Sequence, residues 1–232
     1  MTLATATPQP GKRARYRLDG HSIIGDARTT PIRGDLADIK LAGKLFAPHY
    51  AVPMVRMCIA PSTPMHAQPD LQSTSTSALI YGEKFAVLDV AGIWAWGYSL
   101  HDEYLGYVHM SHLGEIQEPT HFVTAEAAIV QAEAALRAPE LLRLPMGAQV
   151  ACRTVDGSGE YLATGGGFIS VKHVAKIGEV SGDIAAIAEA LIGVPYHWGG
   201  RSGDAIDCSG LVQLACGMKG ISVARDSDMQ ME

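Results

Sequence analysis

The sequence is poor in the features that mark several large protein classes. Although 47% of its 232 residues are hydrophobic, no window approaches the ~18 consecutive apolar residues of a membrane span. The N-terminus, "MTLATATPQPGKRARYRLDG", has prolines and basic residues where a secretion signal carries its apolar region. Positive charge is scarce, with 18 Lys and Arg against 24 Asp and Glu and a net charge of −6. The one short basic run, "GKRARYR" at 11–17, reads as a solvated tail, so no nucleic-acid partner is expected. Cysteine is sparse too: Cys58, Cys152, Cys208 and Cys216 are spread out, with no C-x-x-C. No His/Cys group has zinc spacing, so neither a metal nor another cofactor is expected. A chain without a secretion signal keeps its thiols reduced, and this one is expected in the cytoplasm, off the membrane.

What is present changes character along the chain. Residues 1–78 mix short apolar runs with Pro, Gly, Ser and Thr and read as an arm and linker. From 79 to 114 come β runs: "KFAVLDV", then "IWAWGYS" with Trp94, Trp96 and Tyr98 at period two, then "EYLGYVHM". The two tryptophans read as packing. A second β segment, 119–177, holds "GAQVACRTV" and "EYLATGGGFISVKHV" around the turn "DGSG", whose Asp156-Gly157 pair favours a hairpin. Between them "AEAAIVQAEAALRAPELLRLP" (125–145) is Ala-rich but carries Pro139 and Pro145, and stays open between helix and strand. After 181 the period becomes helical. Ser181 or Asp183 can cap a helix carrying Ile184, Ile187, Ala188 and Leu191, which Gly193 and Pro195 stop. A Gly-rich loop leads to a second helix starting at or just after Cys208, with Leu211, Leu214, Ala215 and Met218 as its stripe. Ser227-x-x-Gln230 has the capping-box form and announces a third helix. The fold class expected is α+β: two small SH3-like β-barrels at 79–114 and 119–177, then a helical unit at 182–232.

Cys208 is the residue that bears on chemistry. A thiol at a helix N-terminus faces free N–H groups and the positive end of the dipole, both of which favour an anion. The glycines before it let a substrate approach the backbone. Against this, free cysteine is among the most buried residue types, and the adjacent Asp207 opposes a thiolate. A reactive thiol and a small packed residue both fit, whereas Cys216, in the middle of a helix, has no activating context. A phosphate-loop reading of "GGRSGDAIDCSG" fails because no Gly-Lys-Ser/Thr follows.

Three motifs occur in order within 194–230: Pro-Tyr-x-Trp-Gly-Gly, Asp-Cys-Ser-Gly-Leu-Val and Arg-Asp-Ser-x-x-Gln. Together they resemble the NlpC/P60 family of papain-like cysteine peptidases. "YGEKFAVLD" and "YLGYV" are similar to the first bacterial SH3 domain of the branch that cleaves γ-D-glutamyl-L-diamino acid bonds, also called dipeptidyl-peptidase VI. The resemblance covers about 79–232 and implies the N-terminal helical part of a papain-like domain after two SH3-like domains. It implies that Cys208 attacks the γ-D-Glu–diamino acid carbonyl of free murein-derived peptides and forms an acyl-enzyme, as part of cell-wall peptide recycling. Tyr196 would hold the oxyanion through its hydroxyl. Asp207 and Ser209 would bind the free amine of an N-terminal L-Ala. Glu83 and Tyr104 would wall off the substrate's N-terminal side, and Asp226 and Ser227 would line the same pocket. On composition alone Tyr196 is equally a core tyrosine. Asp207, Asp226 and Ser227 are equally helix caps, and Glu83 and Tyr104 an ordinary acid and a packing aromatic.

A cysteine nucleophile needs a base, usually His. In the family resembled it lies well downstream. Of nine histidines, eight precede "YHWGG" and His197 occupies that motif's variable position. The expectation is therefore an incomplete peptidase unit whose helices lack the sheet that should cover them, inactive as residues 1–232. A non-catalytic SH3-like peptide or cell-wall binding protein is the alternative, and an amidase or transferase on the same fold a third.

Overall fold

The computed structural model describes residues 25–155 and 159–231. The basic run at 11–17 and the Asp156-Gly157 pair lie outside the described residues.

The first β unit is a seven-stranded antiparallel sheet. Its order is Ser75–Ile80, Ser62–His66, Leu105–His109, Trp94–Ser99, Lys84–Ala91, Met54–Cys58 and Leu113–Gly114. Lys84–Ala91 and Trp94–Ser99 form its spine. They pair from Phe85↔Ser99 to Ala91↔Trp94, and Gly92 (φ 61°) supplies the left-handed residue of the two-residue turn. Met65, Leu79, Phe85, Val87, Ala95 and Val108 fill one face. Ala86, Leu88, Trp96 and Tyr98 form the other, and Leu36 and Ala51 of the preceding arm pack onto them. The Tyr98 hydroxyl donates to the buried Asp38 carboxylate at 2.8 Å, which ties the arm down.

The sheet starts earlier than the sequence suggested. Two of its strands, and the start of a third, fall within 1–78, the stretch read as arm and linker. Ser, Thr and Pro hid them. Pro64 is tolerated because Ser62–His66 pairs fully with Ser75–Ile80 but meets Leu105–His109 only at His66↔Tyr107.

The second β unit combines a five-stranded sheet with a three-stranded one, Gln149–Val150, His121–Val123 and Val174–Lys176. The Ala-rich stretch is strand: Ala127–Gln131 pairs antiparallel with Glu140–Pro145. Ala128 and Val130 are buried and alternate with half-exposed neighbours, a period-two pattern that alanine obscures in the sequence.

Helix α1 spans Ile184–Glu189, with Asp183 Oδ1 accepting from Ala186 N at 2.8 Å. Helix α2 spans Cys208–Gly217. The third helix is only a 3₁₀ turn at Met229–Met231. The two α-helices are not bare, contrary to the expectation. Ile187, Leu191, Leu214, Ala215 and Met218 join Phe122, Val123, Leu144, Met146 and Val150 of the second β unit in one cluster, with Ile80 from the first. That burial gives α1 and α2 the partner a short helix needs. Among the described residues no helix is long and apolar enough to cross a membrane.

Candidate active site

The chain reaches α2 through a small hairpin, Arg201–Ser202 against Ala205–Ile206. Gly199 (φ +82°) turns the chain beside Ser75 of the first sheet, where a Cβ would press on the Ser75 carbonyl oxygen. A Cβ at Gly210 would overlap the Gly200 carbonyl oxygen, so only glycine lets the first turn of α2 rest on this loop. Tyr196 bridges Ile206 in parallel, two residues before Cys208.

Cys208 is the first residue of α2, and it is exposed. Among the described residues no hydrogen bond is made to its Sγ, so no imidazole is paired with it. The other thiols differ. Burial, and then the Glu83 charge, push Cys58 up to about 12. Burial pushes Cys152 up to about 11. Cys216 is buried in α2.

Asp207 caps α2. Its Oδ1 accepts from Gly210 N at 2.8 Å, from Ser209 Oγ at 3.2 Å and from Arg225 Nη1 at 3.1 Å. Its Oδ2 accepts from Gly199 N at 2.9 Å and Arg225 Nη2 at 2.6 Å. Burial opposes this charge most, but Arg225 and the backbone N–H groups outweigh it and hold the carboxyl below its ordinary value. Five donors already fill the roughly four lone-pair positions of a carboxylate. The amine contact expected of Asp207 would therefore compete with these five donors. Ser209 is likewise committed, its Oγ accepting from Arg225 Nη1 at 2.7 Å.

Glu83 is buried beneath α2 rather than standing as an open wall. It pairs with Arg201 through two contacts, 2.9 and 3.1 Å. Arg201 also donates to the Ala78 carbonyl and to Gln213 Oε1, both at 2.7 Å, and Gln213 Nε2 donates to Asp102 at 2.8 Å. Burial works against the Arg201 charge, and Glu83 with Asp102 more than offsets it. The first sheet is thus wired directly to α2.

Tyr104 and Asp226 do meet: the buried Tyr104 hydroxyl donates to Asp226 Oδ2 at 2.9 Å. Burial first, then that carboxylate, raises the phenol above its ordinary value. Arg28 donates to the same Oδ2 at 2.8 Å and also holds Asp228. Ser227 adjoins Asp226 and is exposed. Tyr196 is 65% exposed and Trp198 63%, so neither is a core aromatic.

Sequence reasoning missed Arg28, Arg201, Gln213 and Arg225. The only signal for Arg225 was its place in the Arg-Asp-Ser element. For Arg201 the signal was a lone cation in a Gly-rich loop leading to a buried helix.

Comparisons with known proteins agree with the motifs. Residues 65–113 match the family model of the bacterial dipeptidyl-peptidase SH3 domain, and residues 193–232 match that of the NlpC/P60 family. A crystal structure of an NlpC/P60 family protein from Bacillus cereus ATCC 10987 superposes with a TM-score of 0.66 at 16% identity, covering 76% of each chain. An NlpC/P60 endopeptidase from Photobacterium damselae subsp. piscicida gives 0.55 at 16% identity, over 76% of this chain and 45% of that one. At such identity these likenesses speak for the fold. No curated protein matches the chain.

Proposed function

We propose that this chain carries the nucleophile-bearing part of a cysteine peptidase that cleaves the γ-D-Glu–diamino acid bond of short murein-derived peptides. The observation that carries the reading is Cys208: an exposed thiol on the first turn of α2, on a loop locked by the Asp207–Arg225 pair. Its Sγ adds to the γ-carbonyl, the amine of the diamino acid leaves with a proton, and water later releases L-Ala-D-Glu from the thioester. Tyr196, exposed and bridged to the strand that leads into Cys208, is free to donate to the oxyanion. The reading also requires a general base, usually an imidazole, and none among the described residues is hydrogen-bonded to the Cys208 Sγ.

The free amine of the substrate falls to Asp226 in this reading, because Asp207 is filled. Asp226 Oδ1 accepts no hydrogen bond among the described residues, while Tyr104 and Arg28 fix Oδ2. Asp207, Ser209 and Arg225 then position the nucleophile loop, and Glu83 positions α2 through Arg201.

The test is mass-spectrometric detection of L-Ala-D-Glu released from L-Ala-γ-D-Glu-diamino acid tripeptides, with free imidazole added as a stand-in base. Release that needs imidazole and is lost in Cys208→Ala supports the proposal. Release that survives Cys208→Ala overturns it. Acetylating the L-Ala amine should abolish cleavage, as should Asp226→Asn.

A further inference from the structure

The first β unit carries a pocket that the peptidase chemistry does not use. It is a cavity of about 90 Å³, with Pro64, Leu71 and Trp94 as its apolar walls and His66, His109, His112 and Thr63 as its polar ones, the Thr63 hydroxyl being paired with His112 Nδ1 at 2.7 Å. His66 and His109 meet the Trp94 indole edge-on, with ring centroids 5.4 and 6.0 Å away.

The backbone fixes the tautomers of two of these rings. The Ser73 carbonyl can only accept, so His66 carries its proton on Nδ1 and donates to it at 2.9 Å. His66 Nε2 is then a bare acceptor, unpartnered among the described residues, on a side chain only 6% exposed. The Ser111 N–H can only donate, so His109 Nδ1 accepts from it at 3.3 Å, with Ser111 Oγ at 2.6 Å. The His109 proton therefore sits on Nε2, which is a donor. One small cavity thus offers an acceptor, a donor and an indole wall. Among the described residues no three His, Cys, Asp or Glu side chains are placed to hold a metal ion.

We infer that this pocket binds an acetamido group, the secondary amide CH₃–CO–NH–R. Its N–H donates to His66 Nε2, its carbonyl accepts from His109 Nε2–H, and its methyl lies against Trp94 and Leu71. The cavity has room for about three waters, which is close to the size of one such group. A carboxylate would leave the lone pair of His66 facing negative charge. A primary ammonium would leave the His109 N–H unpaired. Two sources share the acetamido chemistry: an N-acetylated sugar and an acylated peptide. The inference is independent of Cys208.

The test is an NMR titration of the whole chain, following the Trp94 indole N–H and the His66 and His109 ring signals. The probes are N-acetyl-D-glucosamine, N-acetyl-L-alanine methylamide, and methyl glucoside as the sugar without an amide. The expected result is millimolar binding of one or both acetamides at these three residues, and none of methyl glucoside. A response to the sugar alone names a glycan source, and a response to the peptide alone a peptide source. His66→Phe and His109→Phe should each weaken binding by about 5-fold, the loss of one hydrogen bond. Equal shifts with methyl glucoside, or no shift with either acetamide, overturn the inference. That comparison uses the unaltered chain and does not depend on how the variants fold.

Discussion

Alkylation with iodoacetamide should single out Cys208, and the structure sets the margin. At about pH 8 a thiol held near 11, as Cys152 is, is ~0.1% thiolate, and one held near 12, as Cys58 is, only ~0.01%. Both are also shielded, Cys58 completely and Cys152 in part, and Cys216 is packed within α2. Cys208 is open to solvent on the first turn of α2. One adduct should therefore form at Cys208, with Cys152 slower by ~100-fold from its raised thiol alone, Cys58 slower still, and Cys216 held back by its packing. Peptide mapping by mass spectrometry against time gives the four rates separately, and Cys208→Ala should leave the folded chain almost unlabelled. Comparable labelling of Cys152, or a Cys208 that reacts only after denaturant is added, would refute the argument that α2 presents its thiol.

Arg225→Met should lower stability by about 3–5 kcal/mol, because it leaves the Asp207 carboxylate buried without its cation. In thermal melts of a chain this size that is a fall in Tm of roughly 10 °C, and an unchanged Tm would remove Arg225 from its anchoring role. Acid should weaken the fold in a defined direction. Asp207 and Asp26 titrate lower in the folded chain than in the unfolded one, Asp26 at about 2. The unfolded state therefore binds more protons, so this stability is complete above about pH 4 and is lost as pH falls toward the folded values. Urea midpoints should drop between about pH 5 and about pH 2, and a flat profile over that window would contradict the assignment. Gly210→Ala should destabilise α2 even though alanine is favoured over glycine by about 1 kcal/mol in a helix, because the new Cβ overlaps the Gly200 carbonyl oxygen. A melt at or above the unaltered Tm would show that the loop can move aside.

The parts legible in the sequence were those with a local signature. The start of α2 followed from its apolar stripe and the Asp-Cys-Ser-Gly motif, and of the two caps read for α1, Ser181 and Asp183, the helix uses Asp183. "KFAVLDV" declared itself as a run of β-favouring residues and "IWAWGYS" by period two. The Ala127–Gln131 strand did not, since alanine carries little preference for either period. Nor did Ser62–His66, whose Pro64 argued for a loop. The candidate site was half readable. Cys208, Tyr104 and Asp226 stand in recognisable motifs. The pairs Glu83–Arg201 and Asp207–Arg225 join residues 118 and 18 positions apart. Nothing in the local pattern of either partner announces the other. Those pairings engage Asp207 and Ser209 with Arg225, a partner that motif position alone does not reveal.

The Glu83–Arg201–Gln213 bridge also bears on how such a chain could be inherited. Modules of this kind are often pictured as beads that recombination can exchange. Here the second bead is threaded between two that share a buried guanidinium. A graft that replaced the first sheet without a carboxylate at position 83, and without the Ala78 carbonyl in register, would leave the buried Arg201 charge without its counter-ion at a cost of several kcal/mol. A lineage that kept the motifs around Cys208 but traded that sheet would need to change Arg201 at the same time. Among homologous chains, position 201 should therefore track position 83, although a whole β unit separates them.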